Sequence, residues 1–118
     1  MKEVDLSALT EINGFVGACL VDSDSGMVLG MTGGGALNLE AAAAGNTEVV
    51  KAKRATMKSL GLNDKIEDIL ITLGTQYHLL RPLSSNEAMF LYLALSRAQA
   101  NLAMARIGLT NFEKGIQL

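Results

Sequence analysis

Few residues of this 118-residue chain have the types and spacing to do chemistry. Gly30 and Gly35 have the G-x-x-x-x-G spacing of a phosphate loop ahead of a helix. Such a loop next needs lysine and a hydroxyl to reach the phosphates and Mg²⁺, and Ala36-Leu37 follow instead. The dinucleotide pattern G-x-G-x-x-G also fails, because after Gly33 and Gly35 the third site is Asn38. The glycines therefore read as a flexible connection. Asp22-Ser23-Asp24-Ser25-Gly26 has the acids of a calcium loop but lacks its continuation to a glutamate, so it reads as a turn. His78 is the only histidine and reads as structural or exposed. Cys19 is the only cysteine; with no histidine nearby in sequence to activate it, it reads as a small core residue. Nothing assembles a nucleophile, a base and an oxyanion hole. No catalytic residue, cofactor or metal is expected. Lys51, Arg54 and Lys58 form a charged strip, which is either a solvated face or a dock for an acidic partner.

Composition narrows the classes. The length suits one domain with one core, spanning 1–118. Hydrophobic residues make up 49% of the chain and mean hydropathy is positive, which suits apolar surface buried between subunits. Net charge is -2, with lysine and arginine scattered, so no basic stripe argues for nucleic acid. A lone cysteine allows no intrachain disulfide and fits a reducing compartment. The start, Met1-Lys2-Glu3-Val4-Asp5, carries acids where a signal peptide needs positive charge. No apolar run reaches the ~18 residues of a membrane span. A cytoplasmic protein without membrane insertion is expected.

The elements follow from local signals. Leu6, Leu9 and Ile12 recur at i, i+3, i+6, which predicts a short helix over 3–12, ended by Asn13-Gly14. Phe15 to Val21 is apolar throughout, hence a central strand; Gly17 inside it marks a bulge or close approach of another backbone. A turn at 22–26 returns the chain as a strand over 27–32. Strands three to five are predicted over 66–73, 76–83 and 88–95, joined by short turns. Ser96-Arg97-Ala98-Gln99 fits a capping box. The helix behind it puts Ala98, Leu102, Ala105, Leu109, Phe112 and Ile116 on one face, with Gly108 as a break and Thr110 opening a second piece. The order α-β-β-α-β-β-β-α, with strands apolar on both faces, predicts a three-layer α/β/α sandwich around a five-stranded antiparallel sheet.

The long helix between strands two and three organises the rest. It is alanine-rich over 38–60, with Asn38 as N-cap and Gly61 as stop. At about 100° per residue it divides into three strips. Leu39, Ala43, Val50 and Met57 form a bulky apolar strip, flanked by Ala42, Val49 and Leu60. Asn46 and Lys53 interrupt that strip, either snorkelling or reaching across an interface. Glu40, Thr47, Lys51, Arg54 and Lys58 form a polar strip. Ala41, Gly45, Glu48, Ala52, Ala55 and Ser59 form a third strip, spaced 4-3-4-3-4 like a helix–helix seam. Its small residues either fit the helix against its own domain or admit the same helix of a second copy. A helix covered on one side only would not need them, which favours the second copy.

Ile12 to Asp22, followed by Gly26-Met27-Val28-Leu29, resembles the opening hairpin of Roadblock-type dynein light chain domains. Arg81-Pro82-Leu83 before an apolar strand, then Ala100-Asn101-Leu102-Ala103-Met104-Ala105-Arg106, is similar to the family's closing elements. The resemblance implies a profilin-like fold and homodimers or heterodimers. It implies that the long helix pairs with its mate and that strand three of each subunit joins the two sheets. Ile69 and Ile71 then join the small strip in the dimer interface. It further implies a scaffold or regulator of Ras-like small GTPases. The family's bacterial gliding-motility member promotes GTP hydrolysis by its partner, and other members are dynein light chains or lysosomal scaffold subunits. The function expected is thus a non-enzymatic homodimeric regulator of a small GTPase. Its competitors are a structural dimerisation subunit without GTPase dependence and a small-molecule sensor.

Overall fold

The computed structural model describes residues 4–116. Residue 3 of the helix expected over 3–12 lies outside them. A 3-10 helix, Ser7–Glu11, opens the fold. The apolar spacing of three is the period of a 3-10 helix rather than of an α-helix, and it buries Leu6 and Leu9. Five strands follow the expected order: β1 (Phe15–Asp22), β2 (Val28–Gly33), β3 (Ile69–Thr72), β4 (Gln76–Pro82) and β5 (Met89–Ser96). Between β2 and β3 runs α1 (Leu39–Ser59), and α2 (Leu102–Lys114) ends the fold.

The strands form one antiparallel sheet in the order β2-β1-β5-β4-β3. Alternation sorts their side chains into two cores. Ala18, Leu20, Leu79, Leu91, Leu93 and Leu95 pack with Leu6, Leu9, Ala105 and Leu109 of the 3-10 helix and α2. Cys19, Val21, Leu80, Phe90, Tyr92 and Ala94 pack with Leu39, Ala43 and Val50 of α1. These are the three layers expected. Gly17 meets both readings of its glycine. The β1–β5 register shifts beside it, and a Cβ there would lie 2.8 Å from the Gly34 backbone.

Local chemistry sets the ends of α1. The Asn38 side chain accepts the Ala41 N–H at 3.0 Å, and Gly61 follows Leu60 with φ +69. The acid-rich segment is a turn, as expected: Asp22 Oδ1 accepts the Asp24 N–H at 2.9 Å, and Asp22 O accepts the Gly26 N–H at 2.7 Å.

Three expectations are corrected. Ser96 does not cap a helix: it ends β5, opposite Gln76, and its N–H donates to Gly14 O. The chain turns over 97–99, and Asn101 is the cap, its side chain accepting the Met104 N–H at 3.1 Å. Ala98 is therefore not on the helix. Gly108 does not break α2; the missing side chain makes room for Ile12, whose Cδ1 would lie 3.1 Å from a Cβ at that position. The helix continues through Thr110, so there is no second piece. Finally, β3 starts at Ile69 rather than residue 66. The residue before it, Asp68, is instead tied to α2, accepting from Arg106 Nε at 2.9 Å.

A polar latch fastens the end of α2. Glu113 accepts from Arg81 Nε at 3.0 Å and from the Ser84 N–H at 3.1 Å, as well as from the Ser84 hydroxyl. Burial pushes its carboxyl pKa up, but these donors pull it down further, so the net shift is below the ordinary value. The latch thus stabilises the fold above the ordinary glutamate pKa, and its contribution is lost as pH falls through the lowered one. Glu113→Gln is expected to cost about 1–3 kcal/mol at neutral pH. It should also flatten the acid side of the stability profile, read by urea unfolding at pH 3–7. An unchanged acid profile would assign the latch no role.

Candidate dimerisation and docking surface

α1 packs mainly over β1 and β2. Leu39, Ala43, Thr47 and Val50 are its buried residues. Thr47 departs from the expected polar strip; it is 2% exposed, and its hydroxyl donates to Ala43 O at 2.7 Å, which removes the cost of burying it. Val49 and Leu60, expected to flank the packed strip, are instead exposed.

The third strip points away from the sheet. Ala41, Gly45, Glu48, Ala52, Ala55 and Ser59 are all exposed. A Cβ on Gly45 would have nothing within 4 Å, so no contact inside the protomer explains this glycine. Glycine inside a helix costs about 1 kcal/mol relative to alanine. Fitting the helix to its own sheet therefore does not account for the small residues. Beside them the helix exposes Val49, where a solvated face would carry charge.

The sheet has a matching opening. β3 is an edge strand. Ile69 and Ile71 lie on the α1 side of the sheet but are only half-buried, because α1 sits over the other half of that face. His78, opposite Ile71 in β4, is half-exposed in the same uncovered area. The open strand edge and the half-bare sheet face thus adjoin one another, while the small strip of α1 faces outward above the sheet.

The basic residues have more specific roles than a solvated strip would give them. Lys51 Nζ donates to Asp24 O at 3.2 Å. Arg54 donates to Glu87 O at 2.6 Å and to the Ser23 hydroxyl at 3.4 Å. The two cations hold α1 against the β1–β2 turn and the β4–β5 loop. Lys58 is exposed beyond them. A shallow groove of about 260 Å³ at this end is lined by Arg54, Met57, Lys58, Lys65, Ile66 and Pro82, among others. Exposed Leu60 and Leu62 follow α1 at the same end, Leu62 lining the groove. Sequence periodicity missed these leucines as surface because their exposure depends on where the sheet ends.

The remaining candidates for chemistry are dispersed. Cys19 is buried, and burial pushes its thiol up to about 12, so it stays protonated at neutral pH. The described residues hold no group of three or more His, Cys, Asp or Glu side chains placed to bind a metal. Among them no helix is long and apolar enough to cross a membrane. A cleft of about 440 Å³ between the 3-10 helix and α2 is lined mainly by apolar residues such as Leu9, Ile12, Met104 and Phe112.

Comparison with known proteins fixes the fold. The chain matches the structure of a Roadblock/LC7 domain from Streptomyces avermitilis with a TM-score of 0.82, covering 96% of this chain and 93% of that one at 14% identity. It matches the gliding protein MglB from Thermus thermophilus with a TM-score of 0.77, over 92% and 80% of the two chains at 17% identity. For Myxococcus xanthus MglB the TM-score is 0.71, over 100% and 97% at 16% identity. No protein-family model matches the chain, and no curated protein matches it in sequence. The fold is that of Roadblock/LC7 domains.

Proposed function

We propose that this chain is a non-enzymatic, homodimeric regulator or scaffold that binds a Ras-like small GTPase, acting as a single domain over 1–118 in the cytoplasm. One observation carries the reading: in a Roadblock/LC7 fold, the outward strip of α1 is built of small residues that nothing in the protomer uses. Two copies related by a two-fold axis would pair these strips. They would also join their β3 edges through Ile69 and Ile71, giving each open edge a partner. Any acceleration of GTP hydrolysis would come from repositioning the GTPase's own residues, since a dimer that fits one nucleotide state better shifts the partner towards it. Lys58, with Lys51 and Arg54 fixed behind it, offers a cationic site for an acidic part of the partner.

The test is affinity capture from the source organism's lysate, run once with a non-hydrolysable GTP analogue and once with GDP. A small GTPase should be enriched in one nucleotide state, and purified partner then serves for a hydrolysis assay. Capture of the same assembly in both states, without a GTPase, would replace this reading with that of a structural dimerisation subunit.

A further inference from the structure

We infer that His78 makes the association of two copies sensitive to pH: the seam closes over a neutral imidazole and loosens when that ring takes a proton. The inference rests on the homodimer reading above and concerns the uncovered half of the sheet face.

The hydrogen bonds around His78 define its protonation. Gln76 Oε1 lies 2.8 Å from Nε2, and with the amide oxygen turned to the ring Nε2 carries the hydrogen and donates. The Tyr92 hydroxyl lies 3.2 Å from Nδ1 and 3.4 Å from Nε2; with Nε2 engaged by Gln76, the hydroxyl donates to a bare Nδ1. Both partners are satisfied only by the neutral ring. A proton on Nδ1 would face the Tyr92 oxygen and force that hydroxyl to accept, leaving its own hydrogen without a partner. Tyr92 is 1% exposed, so water has poor access to replace the lost bond. Nor does the tyrosine relieve the conflict by ionising, because burial first, and then Cys19, push it up to about 12.

Among the described residues that flank the ring in the sheet, none carries a counter-charge. Ile71 and Ala94 flank His78 on the neighbouring strands. Cys19 pairs with Tyr92 in the sheet, as a protonated thiol. On α1, the helix side away from Lys51 and Arg54 carries Ala42, Asn46, Val49 and Lys53; its one charge is a cation, which also opposes protonation. Burial alone already lowers the His78 pKa within the protomer. Covering the half-bare face with a second copy removes more water from the ring and lowers it further. The dimer then binds fewer protons than the monomers, so association is full above the monomer's value and is lost as pH falls below it. The strip brought by the second copy holds one acid, Glu48; its carboxylate reaching His78 would give the opposite sign.

Because His78 is the only histidine, its ring protons can be followed by NMR without assignment ambiguity. The wild-type chain is titrated at a loading where sedimentation shows monomer and at one where it shows dimer. The pKa should be lower in the dimer by about one unit. The association constant should then fall at least about tenfold from pH 7.5 to 5.5, and in His78→Gln it should change much less. A dimer whose His78 pKa does not depend on loading, or whose association strengthens at pH 5.5, overturns the inference alone. A chain that stays monomeric at every loading overturns the homodimer reading, and this inference with it.

Discussion

Ala52→Glu is expected to convert the proposed dimer into well-folded monomers. Ala52 lies near the middle of a strip that runs from Ala41 to Ser59, so a two-fold axis through the seam passes close to it. In each protomer the residue is exposed, and glutamate is a good helix former. The fold itself should lose no more than about 0.5 kcal/mol, part of it from Glu48 one turn before. In the proposed dimer the substitution would place two carboxylates in the α1 seam. Their repulsion and desolvation should cost about 3 kcal/mol or more, lowering the association constant at least about 100-fold. Sedimentation equilibrium at matched loading reads this directly, and Ala52→Gln separates bulk from charge by losing much less. An Ala52→Glu protein that remains dimeric at the wild-type affinity would remove α1 from the interface and leave its small strip unexplained.

Leu93→Ala should give the largest loss of stability within the protomer. Leu93 is fully buried in the middle of β5, opposite Ala18 on one side and Leu79 on the other. All three side chains belong to the core beneath α2 and the 3-10 helix. Truncation removes most of a buried side chain and leaves a cavity, because β5 is hydrogen-bonded along both edges and cannot collapse into it. The expected cost is about 2–5 kcal/mol, out of the 5–15 kcal/mol typical of a domain. That corresponds to a fall in Tm of roughly 10–20 °C. Met104→Ala, at an exposed site on α2, should stay within about 0.5 kcal/mol of wild type. Urea unfolding measures both; similar losses would mean that the core beneath α2 is not packed as described. Leu93 lies on the face away from α1, so the association of molecules that remain folded should be unchanged.

Where the chain becomes helix or strand was legible from the amino-acid sequence, because those signals are local. Asn38 and Gly61 end α1 by satisfying or reversing the backbone at their own positions. The small strip could also be found, since helical periodicity fixes which residues share a face whatever the helix packs on. Periodicity does not say which face a sheet will cover. Thr47 looked polar and is buried; Val49 and Leu60 looked packed and are exposed. Nor could it place the start of α2, because both Ser96 and Asn101 have capping chemistry, and pairing within the sheet claimed Ser96.

The candidate interface belongs mostly to the tertiary structure. β1 pairs with β5 across a long stretch of chain, for instance Ala18 with Leu93, and that pairing puts the first hairpin beside the final meander. The β4–β5 hairpin brings Tyr92 to His78, and the strand order leaves β3 alone at the edge. Hydrogen bonds between distant strands have no periodic trace in the sequence, since every backbone carries the same donors and acceptors. The residues determined that α1 would have a face fit for close approach. Only the sheet beneath it decided that this face would point outward, where a second copy can reach it.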